Sequence, residues 1–119
     1  MKPHLHAKTS VKKWGGSIED YLDIHEFMDS SKAHVADMRH RILLHSSFGI
    51  YLAQQVFGHI RMNSSGNYYA VRDIAEDHVL EDLGTIPSVE KWLANVPIES
   101  LPSFIGGPRQ VNSKRLRID

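Results

Sequence analysis

Two stretches of this chain carry apolar residues at helical spacing, and each stripe holds one ionisable group inside it. At about 100° per residue, Ile18, Tyr21, Leu22, Ile24 and Met28 share a face, with His25 within it and Asp29 one turn on. Further along, Val35, Ala36, Met38, Ile42 and Leu43 share a face, with Arg39 within it. An interior charge is costly unless it is paired or bound to something. The pattern predicts a helical domain built around an internal polar site.

The rest of the chain fits a single domain of mainly α class. It reads as a compact helical domain of about four to five helices with one small β-hairpin. Residues 1–97 form that domain and residues 98–119 an extended basic tail, packed on the domain or on a neighbouring subunit. A lone domain of 119 residues buries only about two-thirds of its surface, so a homo-oligomer is expected. Hydrophobic residues make up 41% and charged ones 24%, which argues against disorder. With no cysteine, disulfides, zinc-thiolate sites and a thiol nucleophile are excluded, which fits a reducing cytoplasm. No apolar run reaches the ~18 residues of a membrane span. Net charge is zero, but Lys2, Lys8, Lys12 and Lys13 make the start basic. Arg109, Lys114, Arg115 and Arg117 do the same for the tail. The ends either lie on the acidic body or close over an anion. Neutrality argues against a long nucleic-acid partner.

Local signals place the elements. His4-Leu5-His6-Ala7 alternates like a short strand. Trp14-Gly15-Gly16 is a turn, and Ser17 with Asp20 caps a helix to about Met28. A second helical stretch runs from about Lys32 to Phe57, stopped by Gly58 and bent or split at His45-Ser46-Ser47. The segments 59–62 and 67–71 flank Asn63-Ser64-Ser65-Gly66 as a hairpin. Asp73 and Glu76 open a helix ending at Gly84. Pro87-Ser88 opens a last short helix, which Pro97 ends.

Several constellations carry chemistry. His34, Asp37, Arg41 and His45 fall within about 80° of one another on a continuous helix, either as an anion-binding strip or as a solvated face. Arg39 either forks onto a carboxylate such as Asp29 or reaches a ligand phosphate. On a strand, His4 and His6 share a side. With His25 or His78 and a carboxylate they could hold zinc or another divalent transition metal. His78 and Asp82, four apart, suit a histidine and the carboxylate that orients it. The glycines of Lys12-Lys13-Trp14-Gly15-Gly16-Ser17 let backbone amides approach an anion at a helix start, although Glu19 and Asp20 already complement that end. No nucleophile elbow or Walker loop is present.

These blocks resemble a widespread family of small uncharacterised His-rich bacterial and phage proteins. The resemblance lies in His4-Leu5-His6-Ala7, Trp14-Gly15-Gly16, Asp20-Tyr21, Ile24-His25, Asp29-Ser30-Ser31-Lys32, Asp37 and Arg39-His40-Arg41. It continues through Phe57-Gly58, Asn63-Ser64, Gly66, Val71-Arg72, Glu76, His78-Val79 and Glu81-Asp82-Leu83-Gly84. It covers the chain to about Leu93 and implies no established activity. By analogy it points to phage proteins that act as sponges for nucleotide immune signals.

The function expected is a non-enzymatic, oligomeric protein of the bacterial host cytoplasm. It sequesters a small phosphate-bearing ligand, above all a cyclic dinucleotide, without a cofactor. Arg39, Arg41 and Arg72 would meet phosphates, His25, His40 and His45 would add hydrogen bonds, and Trp14 or Tyr69 would stack on a base. The rival is a metal-dependent hydrolase, with a metal on His4, His6, His25 and His78 and Glu76 as base. A third reading is a structural or protein-interaction module in which His25 and Arg39 merely fix the core.

Overall fold

A computed structural model describes residues 1–95. Among them lie six α-helices: α1 (Pro3–Trp14), α2 (Glu19–Met28), α3 (Arg41–Leu44), α4 (Ser47–Phe57), α5 (Val71–Leu83) and α6 (Val89–Leu93). Two 3-10 turns, Ser30–Ala33 and Met38–His40, connect α2 to α3. Strands β1 (Ile60–Met62) and β2 (Tyr68–Ala70) pair antiparallel, with Arg61 opposite Tyr69. The expected mainly helical domain with one hairpin is what forms. The proposed tail, 98–119, lies outside the described residues.

Helices α1, α2, α4 and α5 pack around one core of Ala7, Tyr21, Ile24, Met28, Ile50, Ala53, Ile74, Ala75 and Val79. Asp20 ties the hairpin to the start of α2. Its carboxylate accepts from the Ser17 amide (2.7 Å), the Ser64 amide (3.0 Å) and the Ser64 hydroxyl (2.8 Å). Gly16, at φ +78°, lies under this clasp, where a Cβ would come within 2.4 Å of Asp20 Oδ2. A residue with a side chain would break the contact as well as strain the backbone.

Three expectations need correcting. The segment 4–7 is helix, not strand: Pro3 takes the first helical position, which its fixed φ suits, and buried His6, Ala7 and Ser10 recur at helical spacing. The helix read from Lys32 to Phe57 splits at His45-Ser46-Ser47 as expected, but it is also broken earlier, before Met38. Asp37 caps a fresh turn by accepting from the Arg39 amide, His45 leaves helical geometry at ψ 64°, and Ser46 caps α4 through the Gly49 amide. The break removes Arg39 from the interior. Its side chain is 79% exposed and its guanidinium forks onto Asp37 at 2.7 Å, so it needs no interior partner. The last long helix also starts two residues before Asp73, with Glu76 held by Arg72 at 2.7 Å instead of capping.

Candidate metal centre

Three helices each carry a polar pair at i and i+4 into one buried region. His6 and Ser10 come from the inner face of α1, His25 and Asp29 from the last turn and C-cap of α2, and His78 and Asp82 from the last turns of α5. Side chains four apart lie one above the other on a helix, so each pair enters as a unit. His45 joins them because the chain leaves α3 at that residue. All four imidazoles are fully buried. The His6 ring stacks on His78 at 3.8 Å between centroids, and His45 meets His78 edge-on at 5.0 Å.

Four donor atoms face one another within this region. His45 Nε2 lies 2.8 Å from Asp82 Oδ2 and 3.7 Å from Asp29 Oδ1. His78 Nε2 lies 3.1 Å from Asp29 Oδ1 and 3.4 Å from Asp82 Oδ2. A tetrahedral ion with bonds of about 2.0–2.2 Å separates neighbouring ligands by about 3.3–3.6 Å. The four spacings bracket that edge. His6, His25 and His78 form a second close group beside it.

The electrostatics point the same way. Burial pushes the imidazoles toward the neutral form: His25 falls to about 3, with the His78 and His6 rings adding to the effect, and His40, His45 and His78 also fall below the ordinary histidine value. Burial alone would raise the carboxyls. At Asp29 the His78 hydrogen bond together with the fields of His78 and His45 outweighs it, and at Asp82, which drops to about 2, the His45 hydrogen bond does so together with the fields of His78, His6 and the N-terminal amine. Two ionised carboxylates therefore share the interior with the rings of His25, His45 and His78, which burial holds toward the neutral form. The nearest cations are at the rim, the N-terminal amine at 3.4 Å and Arg41 Nη2 at 3.9 Å from Asp82 Oδ1. Asp29 Oδ2, His45 Nδ1, His6 Nε2 and Arg41 Nε are buried without hydrogen-bond partners. Such atoms are costly where they stand.

The centre gathers some of the sequence candidates and leaves others out. His6, His25, His45 and His78 meet, and Arg41 stands at the edge with 16% of its side chain exposed. His40 is buried next to His45, bonded through Nδ1 to Ser31 Oγ at 3.1 Å. His4 is exposed, because on a helix it points about 200° away from His6. His34 and Asp37 are exposed and apart from His45, since the helix that would align them is broken. Trp14 is held by Asp77 at 3.1 Å, Tyr69 bonds the Asp20 carbonyl at 2.7 Å, and Arg72 is a surface residue paired with Glu76. The spacings of His25 with Asp29 and His78 with Asp82 are visible in the sequence, but nothing there marks either aspartate as a ligand. Two further residues of the site, Ser10 and Glu81, are not among the sequence candidates; the Glu81 carboxylate holds His6 Nδ1 at 2.7 Å. A helical reading of 3–14 would have found Ser10 one turn after His6.

Comparison with curated proteins and with solved structures returned no match. A family profile described as a domain of unknown function, DUF6915, matches residues 1–101. The match takes in every residue of the centre, from His6 to Asp82. The chain belongs to the DUF6915 family, a family of uncharacterised proteins.

Proposed function

We propose that the protein binds a divalent transition-metal ion among Asp29, His45, His78 and Asp82. The observation that carries this reading is the set of four nitrogen–oxygen spacings, 2.8 to 3.7 Å, arranged around one buried point. The charge supports it: a dication offsets two buried carboxylates, and neutral imidazoles are the form that ligates. Two imidazoles and two carboxylates are a donor set that suits Zn²⁺. Four protein donors leave no open position, the mark of an ion that holds a fold together. Here it joins α2, the α3–α4 junction and α5. Glu76, tied to Arg72 on the surface, gives no support to a hydrolytic base.

The test is elemental analysis of the purified chain, followed by Zn²⁺ titration of chelator-stripped protein. One ion per chain is expected, lost in His78→Ala and Asp82→Ala and kept in His4→Ala. A chain that neither retains nor takes up metal refutes the reading.

A second reading keeps the phosphate-bearing ligand and draws on Arg41, whose buried Nε has no partner. An anion there would meet the guanidinium at the rim of the centre. Recovery of an intact nucleotide from denatured protein, lost in Arg41→Ala, would support it. Arg39 and Arg72, both engaged at the surface, add nothing to it.

A further inference from the structure

A buried chain of hydrogen bonds runs away from the centre and has no part in ligation itself. His78 Nδ1 lies 2.9 Å from His25 Nδ1, and His25 Nε2 lies 2.8 Å from Ser10 Oγ. Ser10 Oγ is 3.2 Å from the His6 carbonyl oxygen. All these side chains are buried, so water cannot substitute for a missing partner.

We infer that Ser10 and His25 are positioning residues for His78, holding it as the Nδ1–H tautomer with its Nε2 lone pair turned to the metal ion. The inference rests on the metal reading above. A neutral imidazole bound through Nε2 carries its proton on Nδ1. That N–H donates to His25 Nδ1, which must then be bare. The His25 proton is therefore on Nε2 and donates to Ser10 Oγ. The Ser10 hydroxyl donates to the His6 carbonyl, an acceptor one turn back on α1. Every proton has one acceptor along this path. Run in reverse, Ser10 donates to His25, His25 to His78, and His78 Nε2–H to Asp29, which puts a proton where the ion belongs. Ion binding and the outward path therefore require each other. Partners of this kind, behind a ligating histidine, fix its ring and raise its basicity.

The experiment is Zn²⁺ binding by the full chain, in competition with a chromophoric chelator, for the wild type, His25→Leu, His25→Asn and Ser10→Ala. Far-UV circular dichroism checks each fold. His25→Leu is expected to weaken Zn²⁺ binding by about 10–100-fold. His25→Asn, whose amide oxygen can accept in place of Nδ1, recovers most of that loss. In the ¹⁵N spectrum of the Zn²⁺-loaded wild type, His25 shows a protonated Nε2 and a bare Nδ1. No Zn²⁺ uptake by the wild type sinks the centre and this inference together. Uptake by the wild type with unchanged affinity in His25→Leu sinks the positioning role alone. So does a His25 protonated at Nδ1, a result that needs no variant to fold.

Discussion

Mild acid should unfold the metal-free protein, and His25 sets the scale. Its ordinary value of 6.5 falls to about 3 in the fold, first because the ring is buried and then because the His78 and His6 rings face it. Below pH 6.5 the unfolded chain takes a proton that the folded chain refuses. Each further unit costs about 1.4 kcal/mol of stability until pH 3 is reached. At pH 5 that is about 2 kcal/mol from His25 alone. His40, His45 and His78 are shifted the same way by burial, so the slope lies between one and four protons, about 1.4–5.5 kcal/mol per unit. A domain of this kind has about 5–15 kcal/mol in total. Urea unfolding in a chelating buffer, at intervals from pH 7.5 to 4.5, measures the slope. His25→Asn should remove one proton from it. Stability that stays flat between pH 7 and 5, or a slope unchanged in His25→Asn, would refute the claim that these rings are held neutral.

Other perturbations separate the parts of the structure. Saturating Zn²⁺, at about 100 times its Kd, should add roughly 2.7 kcal/mol to the wild type and nothing to His78→Ala, read as a shift in Tm. Asp20→Ala removes the acceptor shared by Ser17 and Ser64 and should cost about 1–3 kcal/mol, with faster amide exchange in the hairpin turn. Gly49→Ala places a Cβ 1.8 Å from the Leu44 carbonyl oxygen. Backbone must move to admit it, so a loss of roughly 3 kcal/mol in urea unfolding is expected. Arg39→Ala should leave Tm and Zn²⁺ affinity unchanged, because an exposed ion pair contributes little. A large loss there would restore the interior arginine that the sequence suggested.

The comparison of His25 with Arg39 shows how far the residue pattern reached and what stopped it. Both were placed inside an apolar stripe by the same rule of about 100° per residue. The rule worked for His25 because α2 runs unbroken from Glu19 to Met28. It failed for Arg39 because Asp37 and Ser46 divert backbone amides into caps, and periodicity means nothing across a break. The same break accounts for His45: once the chain turns there, its ring is free to point inward toward α5. His6 was chosen for a geometry that does not exist, a strand shared with His4, and reaches the centre only because Pro3 starts a helix. The recurring i, i+4 spacing of His6 with Ser10, His25 with Asp29 and His78 with Asp82 could be read from the sequence. What it lacked was the relative position of three helices, which depends on how Tyr21, Ile24, Ile74 and Val79 pack. Ligands drawn from three separate segments become neighbours only in the folded chain, so an ion bound by them is bound by the fold.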